Sequence, residues 1–138
     1  MNILTLEIIT PEKVVYKDEV DEIVAPTLDG EIAILPNHIN LLTQINPGEL
    51  IIKKGSSNQS LAITGGFLEV NNNKVSIVAN YAIKAGDIET ARAQEAKKRA
   101  EKIMSEKATD NELKIAQGEL IKSILELKVA AKRRRRLG

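Results

Sequence analysis

Ala85-Gly86-Asp87-Ile88-Glu89-Thr90-Ala91-Arg92-Ala93 is the stretch where the chain changes period. Before it, apolar residues recur at every second position, the mark of half-buried strands. After it, they step by three and four, the mark of one face of a helix. That switch divides the 138 residues into a β part, 1–86, and a helical part, 87–138.

Upstream of the switch the strands are short and well punctuated. Leu4, Leu6 and Ile8 alternate with Thr5 and Glu7, and Thr10-Pro11-Glu12 ends the run. Val14-Val15-Tyr16 is a brief segment, and residues 20–25 predict the next strand. Asp29-Gly30 is a hairpin signal. In the strand that follows it, Ile32 and Ile34 face one way, Ala33 and Leu35 the other. Further apolar runs are separated by Asn46-Pro47-Gly48, a loop over 55–59, Gly65-Gly66 and Asn71-Asn72-Asn73. Short strands at this spacing, each bounded by turn residues, indicate a sandwich or a barrel.

Downstream, Asp87 is placed to cap a first helix, with Glu89 in its opening turn. Ala93, Ala96, Ala100 and Ile103 form a narrow stripe of mostly small residues. Thr109 followed by Glu112 is a capping box that starts a second helix. Leu113, Ala116, Leu120, Ile124, Leu127 and Ala131 form its expected apolar stripe. At about 1.5 Å per residue the two helices are about 27 and 34 Å long, joined as an antiparallel hairpin. Ile115, Ile121, Leu125 and Val129 are more apolar residues than a two-helix contact needs. The hairpin therefore docks on the β part, docks on a partner, or alternates between the two.

Composition narrows the function. Hydrophobic residues make up 43% of the chain and aromatic ones 2%, so the core is aliphatic. Without cysteine there is no disulfide, thiolate metal site or cysteine nucleophile. One histidine, His38, gives neither a metal cluster nor a nucleophile–base pair, so an enzyme is not expected. The opening Met1-Asn2-Ile3-Leu4-Thr5 lacks a secretory pattern, and no apolar run is long enough to span a membrane. Residues 1–86 carry 10 acids against 6 bases, whereas 87–138 carry 9 acids against 14 bases. Such asymmetry points to two units with different partners.

In order along the chain stand Ile8-Ile9-Thr10-Pro11-Glu12 with Val15-Tyr16, Gly30-Glu31-Ile32-Ala33-Ile34-Leu35-Pro36-Asn37-His38, and Pro47-Gly48-Glu49-Leu50. Gly65-Gly66-Phe67-Leu68-Glu69-Val70, Asn73-Lys74-Val75, and Gly86-Asp87-Ile88 leading into Ala91-Arg92-Ala93 complete the set. With this set the chain resembles the epsilon subunit family of bacterial and chloroplast F-type ATP synthases, called delta in mitochondria. The resemblance implies a ten-stranded β-sandwich followed by a two-helix hairpin. It implies a non-catalytic place in the central rotor stalk, with the sandwich on the gamma subunit and the c-ring. It also implies a regulatory hairpin that folds down or extends toward the alpha and beta subunits, restraining ATP hydrolysis when extended. The location implied is peripheral, on the cytoplasmic face of a bacterial plasma membrane or the stromal or cytoplasmic side of a thylakoid membrane, with membrane contact through the c-ring.

The resemblance also names site residues. It puts Glu31 and His38 on the c-ring side of the sandwich. Some relatives hold ATP through an Ile/Leu-Asp-x-x-Arg-Ala motif, to which Ile88, Arg92 and Ala93 correspond, while Glu89 replaces the aspartate. The second helix offers Lys122 and Glu126 where those relatives supply arginines. A solvated Glu89–Arg92 ion pair is therefore preferred to a regulatory ATP site, and no cofactor is required. The terminal run Lys132, Arg133, Arg134, Arg135 and Arg136 is expected to meet an acidic segment of the beta subunits. The competing reading is a free-standing sandwich adaptor whose basic hairpin binds an acidic protein or nucleic acid. The acidic β part and scarcity of aromatics disfavour nucleic acid.

Overall fold

The computed structural model describes residues 3–137. Met1 and Asn2, which belong to the opening read for a secretory pattern, and Gly138 lie outside the described residues. Ten strands come first: β1 Leu4–Ile9, β2 Val14–Val20, β3 Glu22–Thr27, β4 Gly30–Ile34, β5 Leu41–Gln44, β6 Gly48–Lys54, β7 Ser57–Thr64, β8 Phe67–Asn71, β9 Lys74–Val78 and β10 Tyr81–Lys84. A 3₁₀ turn, Ala85–Asp87, leads to α1 Thr90–Ser105 and α2 Asp110–Leu137. The chain divides into two compact units between Lys84 and Ala85.

The first unit is a sandwich of two five-stranded sheets. One runs β2-β1-β9-β8-β5 and the other β10-β7-β6-β3-β4. Neighbours are antiparallel except for the parallel pair of β1 and β9. The alternation read from the sequence decides which side chains enter the core. Leu4, Leu6 and Ile8 of β1 meet Leu50, Ile52, Leu61 and Ile63 of the opposite sheet in one fully buried aliphatic cluster. Each such side chain contributes about 1.5–3 kcal/mol by leaving water. Ion pairing and ring packing link the sheets at one flank. Lys54 donates to Asp18 at 2.7 Å, and the Lys84 ammonium stands 5.9 Å from the Tyr16 ring centre.

Turn chemistry fixes the register. Asn72 and Asn73 both have positive φ, 50° and 64°, giving β8 and β9 a two-residue turn whose twist matches the strands. Gly66 has φ 103°, and a β-carbon there would strike the Val78 carbonyl, so only glycine fits.

Two strand expectations need correction. Residues 20–25 are not one strand: Val20 closes β2 in one sheet and Glu22 opens β3 in the other. The chain changes sheets at Asp21, whose carboxylate accepts the Gly55 N–H at 2.6 Å. The loop over 55–59 is shorter than expected. Ser57 already pairs with Lys54, and Gly55, at φ 60°, makes the turn tight.

The hairpin unit departs further from the sequence reading. Asp87 lies in the 3₁₀ turn, and Glu89 occupies the cap position of α1 without a side-chain capping bond. The capping box of α2 forms: Glu112 N–H donates to Thr109 Oγ1 at 3.2 Å, and Thr109 N–H donates to Glu112 Oε1 at 3.2 Å. The helices have 16 and 28 residues, about 24 and 42 Å. The second is longer than expected because the basic run continues it. Its buried line also differs from the expected stripe. Ala116, Ser123 and Ala130 recur at steps of seven, with Val129 beside them, while Ile124 is exposed. Ser123 is tolerated because its hydroxyl donates to the Glu119 carbonyl. α1 buries Ala93 and Ala100.

Candidate functional site

Strand register assembles a feature that no local stretch of sequence displays. Phe67 of β8 pairs with Val78 of β9, Val78 with Ile9 of β1, and Ile9 with Val14 of β2. These four apolar residues form one row across the first sheet. Their neighbours Leu68, Ile77 and Ile8 are buried, so the row lies on the opposite, outward face. Phe67 and Val78 are each 57% exposed and Val14 53%. Leu42 of β5, also exposed, lies diagonally beside Phe67, which pairs with Gln44. A shallow recess lined by Asn40, Leu42, Glu69 and Asn71 adjoins it. Contiguous apolar surface of this kind marks a partner surface. The sequence holds a signal for it that was missed: Phe67 and Val78 are apolar residues in the polar phase of their strands.

Glu31 and His38 are not brought together. Glu31 lies beside the hairpin turn at one end of β4, paired with Pro26. His38 lies past the other end of β4, in a turn closed by its N–H to the Leu35 carbonyl at 3.1 Å. His38 Nδ1 stands 2.8 Å from the Ile39 carbonyl. A carbonyl only accepts, so Nδ1 carries the proton. The loop is tied to the β8–β9 turn: Asn37 N–H donates to Asn73 Oδ1 at 2.6 Å, and Asn72 N–H to Asn40 Oδ1 at 3.1 Å. At the Glu31 end, Leu28 and Asp29 are exposed on the turn.

In the hairpin, Glu89 and Arg92 form an ion pair at 3.7 Å, both largely exposed. Ile88 is half-buried before α1, and Ala93 is buried, so its methyl is part of the helix packing. Arg133, Arg134, Arg135 and Arg136 are exposed on the last turns of α2, and Lys132 is half-buried there. Cations at a helix C-terminus complement its dipole. Among the described residues, no three His, Cys, Asp or Glu side chains converge to hold a metal ion. No helix among them is long and apolar enough to cross a membrane.

The family described as ATP synthase, Delta/Epsilon chain, beta-sandwich domain matches residues 3–85. An ATP synthase epsilon chain of Dehalococcoides mccartyi is 45% identical over 133 residues, covering 96% of this chain and 95% of that one. One of Herpetosiphon aurantiacus is 41% identical over 133 residues, covering 96% and 98%. A chain in the cryo-EM structure of the Euglena gracilis mitochondrial ATP synthase shares the fold with a TM-score of 0.75 at 24% identity, over 95% of this chain and 82% of that chain. Another, in the central stalk and c-ring structure of the Tetrahymena thermophila mitochondrial ATP synthase, gives 0.63 at 17% identity, over 92% and 96%.

Proposed function

Because the chain belongs to the ATP synthase epsilon-chain family, we propose that its outward apolar row is where the gamma subunit docks and that its helical hairpin is the arm restraining hydrolysis. Its work is that of a non-catalytic central-stalk subunit, coupling the rotor to the catalytic head, with gamma, the c-ring and the alpha and beta subunits as partners. The observation that carries this reading is the relatedness over nearly the whole chain, sandwich and hairpin alike.

The division of labour follows from the two surfaces. Burying four cross-strand apolar side chains gives a flat, rigid contact suited to a permanent partner. The turn bearing Leu28, Asp29 and Glu31 is a compact projection that suits the loops of the c-ring. His38, at the other end of β4, does not share that contact with Glu31. Membrane association runs through the c-ring, on the cytoplasmic face. The basic end of α2 takes the acidic segment of the beta subunits. Nucleotide sensing is disfavoured: Arg92 pairs with Glu89, and the second helix offers Lys122 and the acid Glu126 where ATP-holding relatives supply arginines.

Phe67→Asp tests the gamma contact. Phe67 is exposed, so the variant folds with an unchanged melting temperature, while co-purification with gamma falls by about tenfold or more. Undiminished capture would remove the row as the gamma contact.

A further inference from the structure

We infer that Thr27 is a positioning residue for the c-ring contact: its hydroxyl locks the β3–β4 turn, so that Leu28 stands at the tip in one fixed pose. This rests on the reading above that the turn meets the c-ring. Thr27 is polar yet only 3% exposed, while Leu28, the next residue, is 58% exposed. The Thr27 hydroxyl is used both as donor and as acceptor. Thr27 Oγ1 donates to the Gly30 carbonyl at 2.6 Å and accepts the Asp29 N–H at 3.2 Å. One hydroxyl thus ties the base of the turn to two of the three residues that follow it.

The backbone of this turn does not supply such a lock by itself. Thr27 pairs with Gly30, which leaves Leu28-Asp29 as a two-residue loop. Loops of that length favour positive φ at the first position or at both, where the backbone twist matches the strands. Among the described residues other than glycine, positive φ occurs at Asn37, Asn72 and Asn73, and so not at Leu28 or Asp29. A leucine there would be strained. Gly30 takes the positive φ instead, at 103°. The β8–β9 turn closes through the backbone of Asn72 and Asn73, whereas the β3–β4 turn closes through a side chain.

The locked turn is also fastened to the opposite sheet. Leu28 N–H donates to the Gln44 carbonyl at 3.2 Å, and Asn46 N–H donates to the Pro26 carbonyl at 3.0 Å. Thr27 itself forms a bridge with Ile45. Gln44 in turn pairs with Phe67 of the outward row. The tip offered to the c-ring and the row offered to gamma are therefore joined through backbone. Without the hydroxyl the tip samples other poses, and its apparent affinity falls with the fraction that remains in the binding pose.

Hydrogen exchange at the Leu28 and Asp29 amides of the full-length chain tests the lock. Thr27→Val removes the hydroxyl, and valine suits a strand, so the sandwich still folds. The variant raises exchange at both amides by about fivefold, the factor of one ordinary hydrogen bond, while Thr27→Ser keeps wild-type protection. Leu28 is the informative position, because its N–H bonds to Gln44 and not to the hydroxyl. Wild-type protection of Leu28 in Thr27→Val overturns the lock. Restoring an ATP synthase stripped of this chain tests the positioning. The concentration of chain that restores half of the proton-driven ATP synthesis rises about two- to fivefold for Thr27→Val and stays at the wild-type value for Thr27→Ser, with gamma captured equally by both. An unshifted concentration for Thr27→Val overturns the positioning role, and an equal rise for Thr27→Ser overturns the hydroxyl as its cause. Leu28→Asp tests the c-ring reading separately and raises the same concentration by about tenfold. No rise there removes the turn as the c-ring contact and the positioning role with it, while exchange in Thr27→Val still decides the lock.

Discussion

The sandwich and the hairpin bury different things. Twelve of the large side chains in the sandwich are essentially inaccessible, all leucine or isoleucine. In the hairpin the buried set is Ala93, Ala100, Ala116, Ser123, Val129 and Ala130. Its larger apolar residues are left outside, with Ile115 61% exposed and Ile121 53%. Burial stabilises roughly in proportion to apolar area, so a seam of methyl groups holds far more weakly than a core of isoleucines. The sandwich has the core of a rigid base, whereas the hairpin is held by a seam of small side chains and leaves larger apolar ones exposed, as the proposed arm requires. Two arrangements of similar free energy are what a switch requires.

Equivalent truncations in the two units probe this contrast most strongly. Ile77→Ala in the core costs about 2–5 kcal/mol, read as a shift of the urea midpoint. Ile121→Ala, on the exposed face of α2, changes stability by less than about 0.5 kcal/mol. Comparable losses at both positions would mean that the hairpin has a core of its own. A smaller effect is expected at the junction of the helices. Thr109→Ala removes the hydroxyl half of the capping box and costs about 1 kcal/mol, measured as lost helical signal in thermal melts.

The same capping box gives the hairpin a sensitivity to acid. The Thr109 hydroxyl, and after it the Thr109 N–H, hold the Glu112 carboxyl below the usual range. A carboxyl with a depressed folded pKa stabilises in full above its unfolded pKa of about 4.3 and loses that contribution as pH falls through the lower folded value. The start of α2 therefore frays only as pH falls below the usual carboxylate range. Glu112→Gln removes that step, which circular dichroism along an acid titration would reveal. An unchanged acid step in the variant would assign it to another group.

How much of this was legible in the sequence depended on whether the signal was local. Period-two alternation gave the strands, and Asp29-Gly30 and the three asparagines gave their turns, because turn geometry is decided by neighbouring residues. Thr109 and Glu112 gave the start of α2 for the same reason. The buried line of α2 was misread because leucine and isoleucine outrank serine in any hydropathy pattern. Close helix approach selects instead for volume, and Ser123 is small and satisfies its own hydroxyl. The row of Ile9, Val14, Phe67 and Val78 left only a scattered trace, apolar residues in the polar phase of their strands, because its members come from four separate strands and meet only through register. Glu31 and His38 looked like neighbours in sequence, yet β4 lies between them. Arg133 and Gly86 likewise come near one another only when the hairpin closes.

The division between base and arm is tested most directly by comparing the full chain with residues 1–86 in the reassembled ATP synthase, following ATP hydrolysis and proton-coupled ATP synthesis together. The account predicts that loss of the hairpin raises hydrolysis while synthesis remains coupled, because the base keeps its contacts. Unchanged hydrolysis would contradict the hairpin's role as a restraint, and lost coupling would contradict the sandwich's role as a sufficient base.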